Sequence, residues 1–166
     1  MSQDNVVIKP VDYGDQREAE ALRRLMQHYA SGPMGGGKPL DEVVLKVLPQ
    51  ALAEVPGAYS LLAWSGEEAV GLVNCFPGFS TFRCQPLLNI HDLVVEERYR
   101  GRGIGRQLLQ VVEQEALARG CCKVTLEVLE GNHVAKRLYQ QCGFDSYELD
   151  PETGKALFFE KNLSEG

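Results

Sequence analysis

The chain has 166 residues, 44% hydrophobic and 24% charged, enough to bury one ordinary core without metal or disulfide staples and too few for two full-sized domains, so a single domain over residues 1–166 is expected. A formal net charge of −6 argues against nonspecific nucleic-acid binding, which needs a basic surface, and is compatible with a cationic substrate. No apolar run approaches the ~18 residues that span a bilayer, no basic cluster precedes the short Val6-Val7-Ile8 run, and Cys75, Cys84, Cys121, Cys122 and Cys142 lack C-x-x-C spacing; membrane insertion, export, a disulfide framework and a bound metal are not expected, and a cytoplasmic location is.

In chain order, residues 6 to 9 read as a short strand stopped by Pro10, and residues 15 to 30 set Ala19, Leu22, Leu25, Met26 and Tyr29 at helical spacing. The stretch Ser31-Gly32-Pro33-Met34-Gly35-Gly36-Gly37-Lys38-Pro39 is dense in helix breakers and predicts a mobile loop. Leu40, Val44, Leu48 and Leu52 then recur every four residues until Pro56, which predicts a second helix. Residues 59 to 64 and 69 to 76 are β-rich and joined by Ser65-Gly66-Glu67-Glu68, the pattern of an antiparallel hairpin. Pro77-Gly78-Phe79-Ser80-Thr81-Phe82 reads as an aromatic loop, and residues 87 to 95 as the next strand.

A helix over 103 to 119 places Ile104, Leu108, Val111, Val112 and Leu117 largely on one face, and Gly120 closes it. Residues 123 to 129 form another strand, with Cys121 and Cys122 read as strand residues facing opposite sides. Asn132 is the expected N-cap of a helix that carries Ala135, Leu138 and Tyr139 and ends at Gly143-Phe144. Residues 144 to 149 and 156 to 161 read as a closing strand pair around Pro151-Glu152-Thr153-Gly154. The order β-α-α-β-β-β-α-β-α-β-β contains no internal repeat and predicts an α/β (α+β) fold.

The strongest local signal is the turn Arg98-Tyr99-Arg100-Gly101-Arg102-Gly103-Ile104-Gly105 between a strand and an amphipathic helix. Glycines let backbone approach an anion, and a helix N-terminus offers unpaired N–H groups, so the turn reads as a phosphate cradle. A P-loop needs Lys and then Ser or Thr after its last glycine, whereas Arg106-Gln107 follow here; the glycines run G-x-G-x-G rather than G-x-G-x-x-G. A glycine-rich turn of no function is the competing reading, opposed by the stability that three glycines at a helix start cost.

Arg100-x-x-Gly103-x-Gly105 resembles the R/Q-x-x-G-x-G/A signature of the GNAT acetyltransferases, and Asn132-x-x-Ala135-x-x-Leu138-Tyr139-x-x-x-Gly143-Phe144 is similar to a second segment of that family. The resemblance implies a mixed central sheet of about six to seven strands flanked by about four helices. It also implies acetyl-coenzyme A as cosubstrate and no metal. Its pyrophosphate would lie on Arg100, Gly101, Arg102, Gly103, Ile104, Gly105 and Arg106, and its pantetheine arm along the splayed main chain of Leu93, Val94 and Val95, with Asn132 and Ala135 as further contacts. Tyr139 is implied as the general acid for the leaving thiolate, and on spacing alone it also fits a core aromatic. Asn132 fits a plain helix cap equally.

Cys75 to Phe82 followed by Leu88 to Val95 is similar to the spermidine/spermine (diamine) branch of the family. That branch carries Glu-Asp where this chain has His91-Asp92, so His91 becomes the candidate base, beside the reading of a histidine satisfied within a strand. The implied reaction is direct attack of a neutral amine in a ternary complex, with a main-chain N–H near Val94 polarising the carbonyl. Tyr29, Trp64, Phe79, Phe82 and Asp92 are the candidate acceptor contacts, and Asp92 reads equally as support for a strand end. The expected acceptor is a small-molecule amine: a polyamine, a diamine or an amino-acid-like compound. Protein lysine or N-terminal acetylation, and a noncatalytic acyl-coenzyme A-binding regulatory domain, are the other readings; the resemblance further implies a homodimer.

Overall fold

A computed structural model describes residues 5–147 and 150–164. Its strands are β1 (Val6–Pro10), β2 (Tyr59–Ser65), β3 (Glu68–Ser80), β4 (Gln85–Val95) and β5 (Val124–Leu126), joined in one sheet in the order β1-β2-β3-β4-β5. Every pairing is antiparallel except β4–β5, where the return through a helix makes the strands parallel. The helices are α1 (Gln16–Ser31), α2 (Glu42–Glu54), α3 (Ile104–Ala118) and α4 (His133–Gln141).

Local chemistry sets the helix ends. Asp15 caps α1 by accepting from the Glu18 N–H, and Asp41 caps α2 by accepting from the Val43 N–H. Pro49 lies inside α2 and has no N–H to offer the Leu45 carbonyl four residues back; Arg23 Nε of α1 donates to that carbonyl instead at 3.0 Å. The helix breaker thereby becomes an α1–α2 clamp. At the end of α3, Gly120 takes φ 74° and the Cys121 N–H returns to the Ala116 carbonyl at 2.9 Å, a Schellman cap.

The sheet buries both faces. Leu61, Val73, Cys75, Leu88 and Ile90 pack with Ile104, Leu108, Leu109 and Val112 of α3, while Leu62, Leu72 and Val94 pack with Ala21, Leu22 and Leu25 of α1 and Leu52 of α2. Alternation along each strand sends neighbours to opposite helix layers, which is why β2 and β3 read as continuous apolar runs.

Several expectations are corrected. The described residues hold five strands, not six to seven. Within the expected closing pair, residues 148 and 149 lie outside the described residues; the rest contributes one isolated bond, from the Ala156 N–H to the Tyr147 carbonyl. The Pro77 to Ser80 segment is strand, not loop. Pro77 is tolerated because β2 begins at Tyr59, opposite Cys75, leaving the far side of β3 beyond that point without a strand that needs its missing N–H. Pro10, likewise, is the last residue of β1 rather than its stop. Leu40 stays outside α2, its N–H held by Gln27 Oε1 at 2.7 Å. Cys121 and Cys122 precede β5, because one completes the cap of α3 and the other donates to the Pro86 carbonyl. The glycine-rich segment after α1 forms a 3-10 turn, Pro33–Gly35, tied back by a bond from the Lys38 N–H to the Ala30 carbonyl.

Candidate active site

The site begins with one extra residue in β4. Asn74 pairs with Asp92 and Cys75 with Ile90, so His91 has no opposite number and forms a β-bulge. The extra residue shifts the parity of the strand by one. Upstream, the Leu88 N–H donates toward β5, to the Lys123 carbonyl; downstream, the Glu96 N–H, although also on an even-numbered residue, donates the other way, to Val70 of β3. Side chains change sides as well, since Leu88 and Ile90 pack with Leu93 and Val95 on the α3 face while Val94 packs on the α1 face.

The sheet opens at the same place. β5 pairs with β4 only from Leu88 to Ile90, and no strand among the described residues covers β4 beyond it on that side. Antiparallel alternation counted from Glu96 puts Val94 in the bonded pair with Leu72, and turns the N–H and C=O of Leu93 and Val95 to the open side. The main-chain groups available to a ligand are therefore those of Leu93 and Val95 rather than Val94. Arg100 Nε already donates to the Val95 carbonyl at 3.2 Å.

The glycine turn follows directly. Gly101 and Gly103 adopt φ 77° and 82°, and a Cβ on either would meet nothing within 4 Å, so conformation rather than crowding requires glycine and the space above the turn is open. Gly103 is the N-cap of α3 and makes no side-chain capping bond, which leaves the first N–H groups of the helix to an external acceptor. Gly105 has a different cause: a Cβ there would stand 2.9 Å from Leu138 Cδ2, so it lets α4 close on α3. Arg106 joins the same two helices through Gln141 Oε1 at 3.1 Å, and the Arg102 guanidinium lies 5.0 Å from the Tyr99 ring. These features fit an anionic ligand along the turn.

Asn132 caps α4 by accepting from the Ala135 N–H, and α4 presents Tyr139 to the α3-side core, edge-on to Phe144. Burial pushes the Tyr139 phenol up to about 12, with Tyr29 adding to the shift. The Tyr29 phenol is raised by burial and then by the Asp92 carboxylate, so these three groups share one electrostatic neighbourhood. His91 is 66% exposed, its Nδ1 3.3 Å from Asp92 Oδ2 and its ring edge-on to Phe76.

Trp64, Phe79 and Phe82 do not join this group. Trp64 lies four residues along β2 from Ser60, roughly 13 Å of strand, under the Arg17 guanidinium beside the β2–β3 turn. Phe79 and Phe82 stand at the distal β3–β4 hairpin, Phe82 being 87% exposed.

Sequence reasoning missed three residues behind Asp92. Tyr13 Oη lies 2.8 Å from Ser60 Oγ, Ser60 donates to Asn74 Oδ1 at 2.7 Å, and Asn74 Nδ2 donates to Asp92 Oδ2 at 3.0 Å. The available signal was a polar residue inside each of two apolar strand runs, Ser60 before Leu61-Leu62-Ala63 and Asn74 after Leu72-Val73.

Comparisons with known proteins agree with this fold. The profile described as the Acetyltransferase (GNAT) family matches residues 21–144. The chain is 33% identical over 90 residues to the L-ornithine N5-acetyltransferase NATA1 of Arabidopsis thaliana, covering 52% of this chain and 40% of that one. It is 33% identical over 78 residues to the thialysine N-epsilon-acetyltransferase of Bos taurus, covering 47% and 45%. The matched stretches thus span less than half the length of these curated relatives. Among solved structures, the aminoglycoside N-acetyltransferase AAC(6')-Iy in complex with CoA shares the fold with a TM-score of 0.72, 16% identity and 96% coverage of both chains.

Proposed function

The chain belongs to the GNAT acetyltransferase family, and from that premise we propose that it transfers an acetyl group from acetyl-coenzyme A to a primary amine of a small molecule. The observation that carries this reading is the half of β4 that begins at the His91 bulge and that β5 leaves uncovered, with Leu93 and Val95 turned to the open side, the glycine turn following directly, and Asp92, Tyr29 and Tyr139 electrostatically linked. The CoA complex of a protein with the same fold supports coenzyme A as the ligand of the turn.

In this reading Gly101, Gly103 and the uncapped start of α3 hold the pyrophosphate, with Arg100, Arg102 and Arg106 at the rim and Asn132 and Ala135 opposite. The main chain of Leu93 and Val95 holds the pantetheine arm, as a further strand would be held, and the Leu93 N–H is placed to polarise a carbonyl. Acetyl-coenzyme A supplies the activated acyl group. Tyr139, protonated at neutral pH as an ordinary phenol is and made harder to ionise by burial, keeps a proton at Oη for the leaving sulfur. Asp92 and Tyr29 receive the acceptor ammonium, and His91, beside Asp92 and open to solvent, takes its proton directly or through water.

The relatives named for L-ornithine and thialysine favour an amino-acid-like acceptor with a side-chain amine, next to the diamines and polyamines. A cytoplasmic homodimer of single-domain chains goes with this reading, the exposed Leu157, Phe158 and Phe159 being suited to burial between copies; sedimentation as a monomer at high concentration would remove the dimer.

The test is thiol release from acetyl-coenzyme A with ornithine, other diamino acids, diamines, polyamines and lysine peptides. Turnover of one small amine is expected. Turnover confined to peptides would replace the acceptor class, and coenzyme A binding without turnover of any amine would replace catalysis by sensing. In His91→Ala, an unchanged pH–rate profile would take the imidazole out of the mechanism.

A further inference from the structure

We infer that Tyr13, Ser60 and Asn74 are positioning residues for acceptor binding: a buried hydrogen-bond chain across β2 and β3 that fixes the Asp92 carboxylate for the substrate ammonium. The inference rests on the acetyltransferase reading and on the place that reading gives Asp92.

The direction of every bond in the chain is determined. Ser60 has one hydroxyl proton and gives it to Asn74 Oδ1, so the contact between Tyr13 and Ser60 must be donated by the tyrosine. With its oxygen occupied by Ser60, the Asn74 amide presents Nδ2 to Asp92 Oδ2, and the same nitrogen lies 3.2 Å from Met26 Sδ. A flipped amide would put oxygen against carboxylate oxygen and take the acceptor from Ser60. Donors therefore point one way, from Tyr13 toward the negative charge, and in a low-dielectric interior each bond polarises the next.

Burial makes the arrangement rigid. Ser60 is 3% and Asn74 2% exposed, and among the described residues no buried side-chain polar atom lacks a partner. Asp92, with a side chain 12% exposed, is the point where this chain reaches the open half of β4. Both of its polar contacts, Asn74 Nδ2 and His91 Nδ1, fall on Oδ2. Oδ1 is left to meet an ammonium, and an anchored carboxylate loses less freedom on binding than a mobile one.

The test uses steady-state kinetics on the full chain with acetyl-coenzyme A and the amine it turns over best. Tyr13→Phe and Ser60→Ala should each raise the KM for the amine about fivefold, and Asn74→Ala about tenfold, with kcat and the KM for acetyl-coenzyme A held within twofold. On an Asp92→Asn background the same changes should add nothing, because their effect runs through that carboxylate. An amine KM within twofold of the parent in Tyr13→Phe and Ser60→Ala proteins that melt like the parent would overturn the inference, as would an equal effect on the Asp92→Asn background. Should Asn74→Ala fail to fold, Tyr13→Phe decides, since it removes only a hydroxyl. A parent chain that acetylates no amine fails before any variant is made, and that outcome overturns the acetyltransferase reading together with this one.

Discussion

The two halves of β4 share one strand and differ in everything a ligand could use. From Gln85 to Ile90 the strand has β3 on one side and, from Leu88, β5 on the other, with Leu88 and Ile90 in the core. From His91 to Val95 it keeps β3 as its only paired strand among the described residues, exposes main chain on the side β5 leaves open, and turns Asp92 into a polar network instead of an apolar layer. A single unpaired residue separates scaffold from site. What the difference teaches is that a strand can be left open on one side without being loosened on the other, since the β3 ladder runs through the bulge to Val95 while the β5 ladder stops.

Deleting His91 breaks the comparison most completely. The shortened strand would pair Ile90 with Cys75 and Asp92 with Asn74 in unbroken succession, keeping Leu93 and Val95 on the α3 face and Val94 on the α1 face while losing the bend and extra twist of the bulge. Denaturant unfolding should show a stability within about 1–2 kcal/mol of the parent, while turnover is lost with the bend in β4. His91→Ala keeps the residue count, so it should retain the parent's unfolding curve and thereby separate the bulge from the imidazole.

Tyr139→Phe comes next: kcat should fall about 10²-fold while coenzyme A still binds by calorimetry. The same phenol makes a pH prediction whose sign is fixed. Because its folded pKa is raised from about 10 to about 12, the folded chain holds the proton more tightly than the unfolded one; this group leaves stability unchanged below pH ~10 and lowers it as pH rises toward 12. Thermal melts of Tyr139→Phe should lack that part of the alkaline loss. Gly103→Val forces a β-branched residue to φ 82° and fills the open space over the turn, so the KM for acetyl-coenzyme A should rise about tenfold with a stability loss of about 1–2 kcal/mol. Phe82→Ala, at the distal hairpin, should change every kinetic constant by less than about twofold, which sharpens the boundary of the site.

Much of this was legible in the sequence, because the signals were local. The cap Asn132 marks its helix by residue type, and the glycine turn declares itself by spacing. What could not be read depended on register. The bulge at His91 exists only relative to β3, and the meeting of Tyr13, Ser60, Asn74 and Asp92 requires three strands to be aligned across separations of up to 47 residues. Pro77 misled for a related reason: proline breaks strands in general, but its nitrogen lies on the side of β3 where no strand among the described residues pairs beyond Cys75. Trp64, Phe79 and Phe82 are candidate acceptor contacts on the expectation that loops carry specificity, and strand direction carries them to the far end of β2 and to the β3–β4 hairpin.

The most direct test of the central claim is to follow backbone amide signals while coenzyme A is added. The account predicts shifts at Leu93, Val95 and Gly101 through Gly105, with Leu88, Asn89, Ile90 and the Phe79 to Phe82 hairpin unchanged. Shifts concentrated in the first half of β4, or at the hairpin, with Leu93 and Gly103 silent would contradict it.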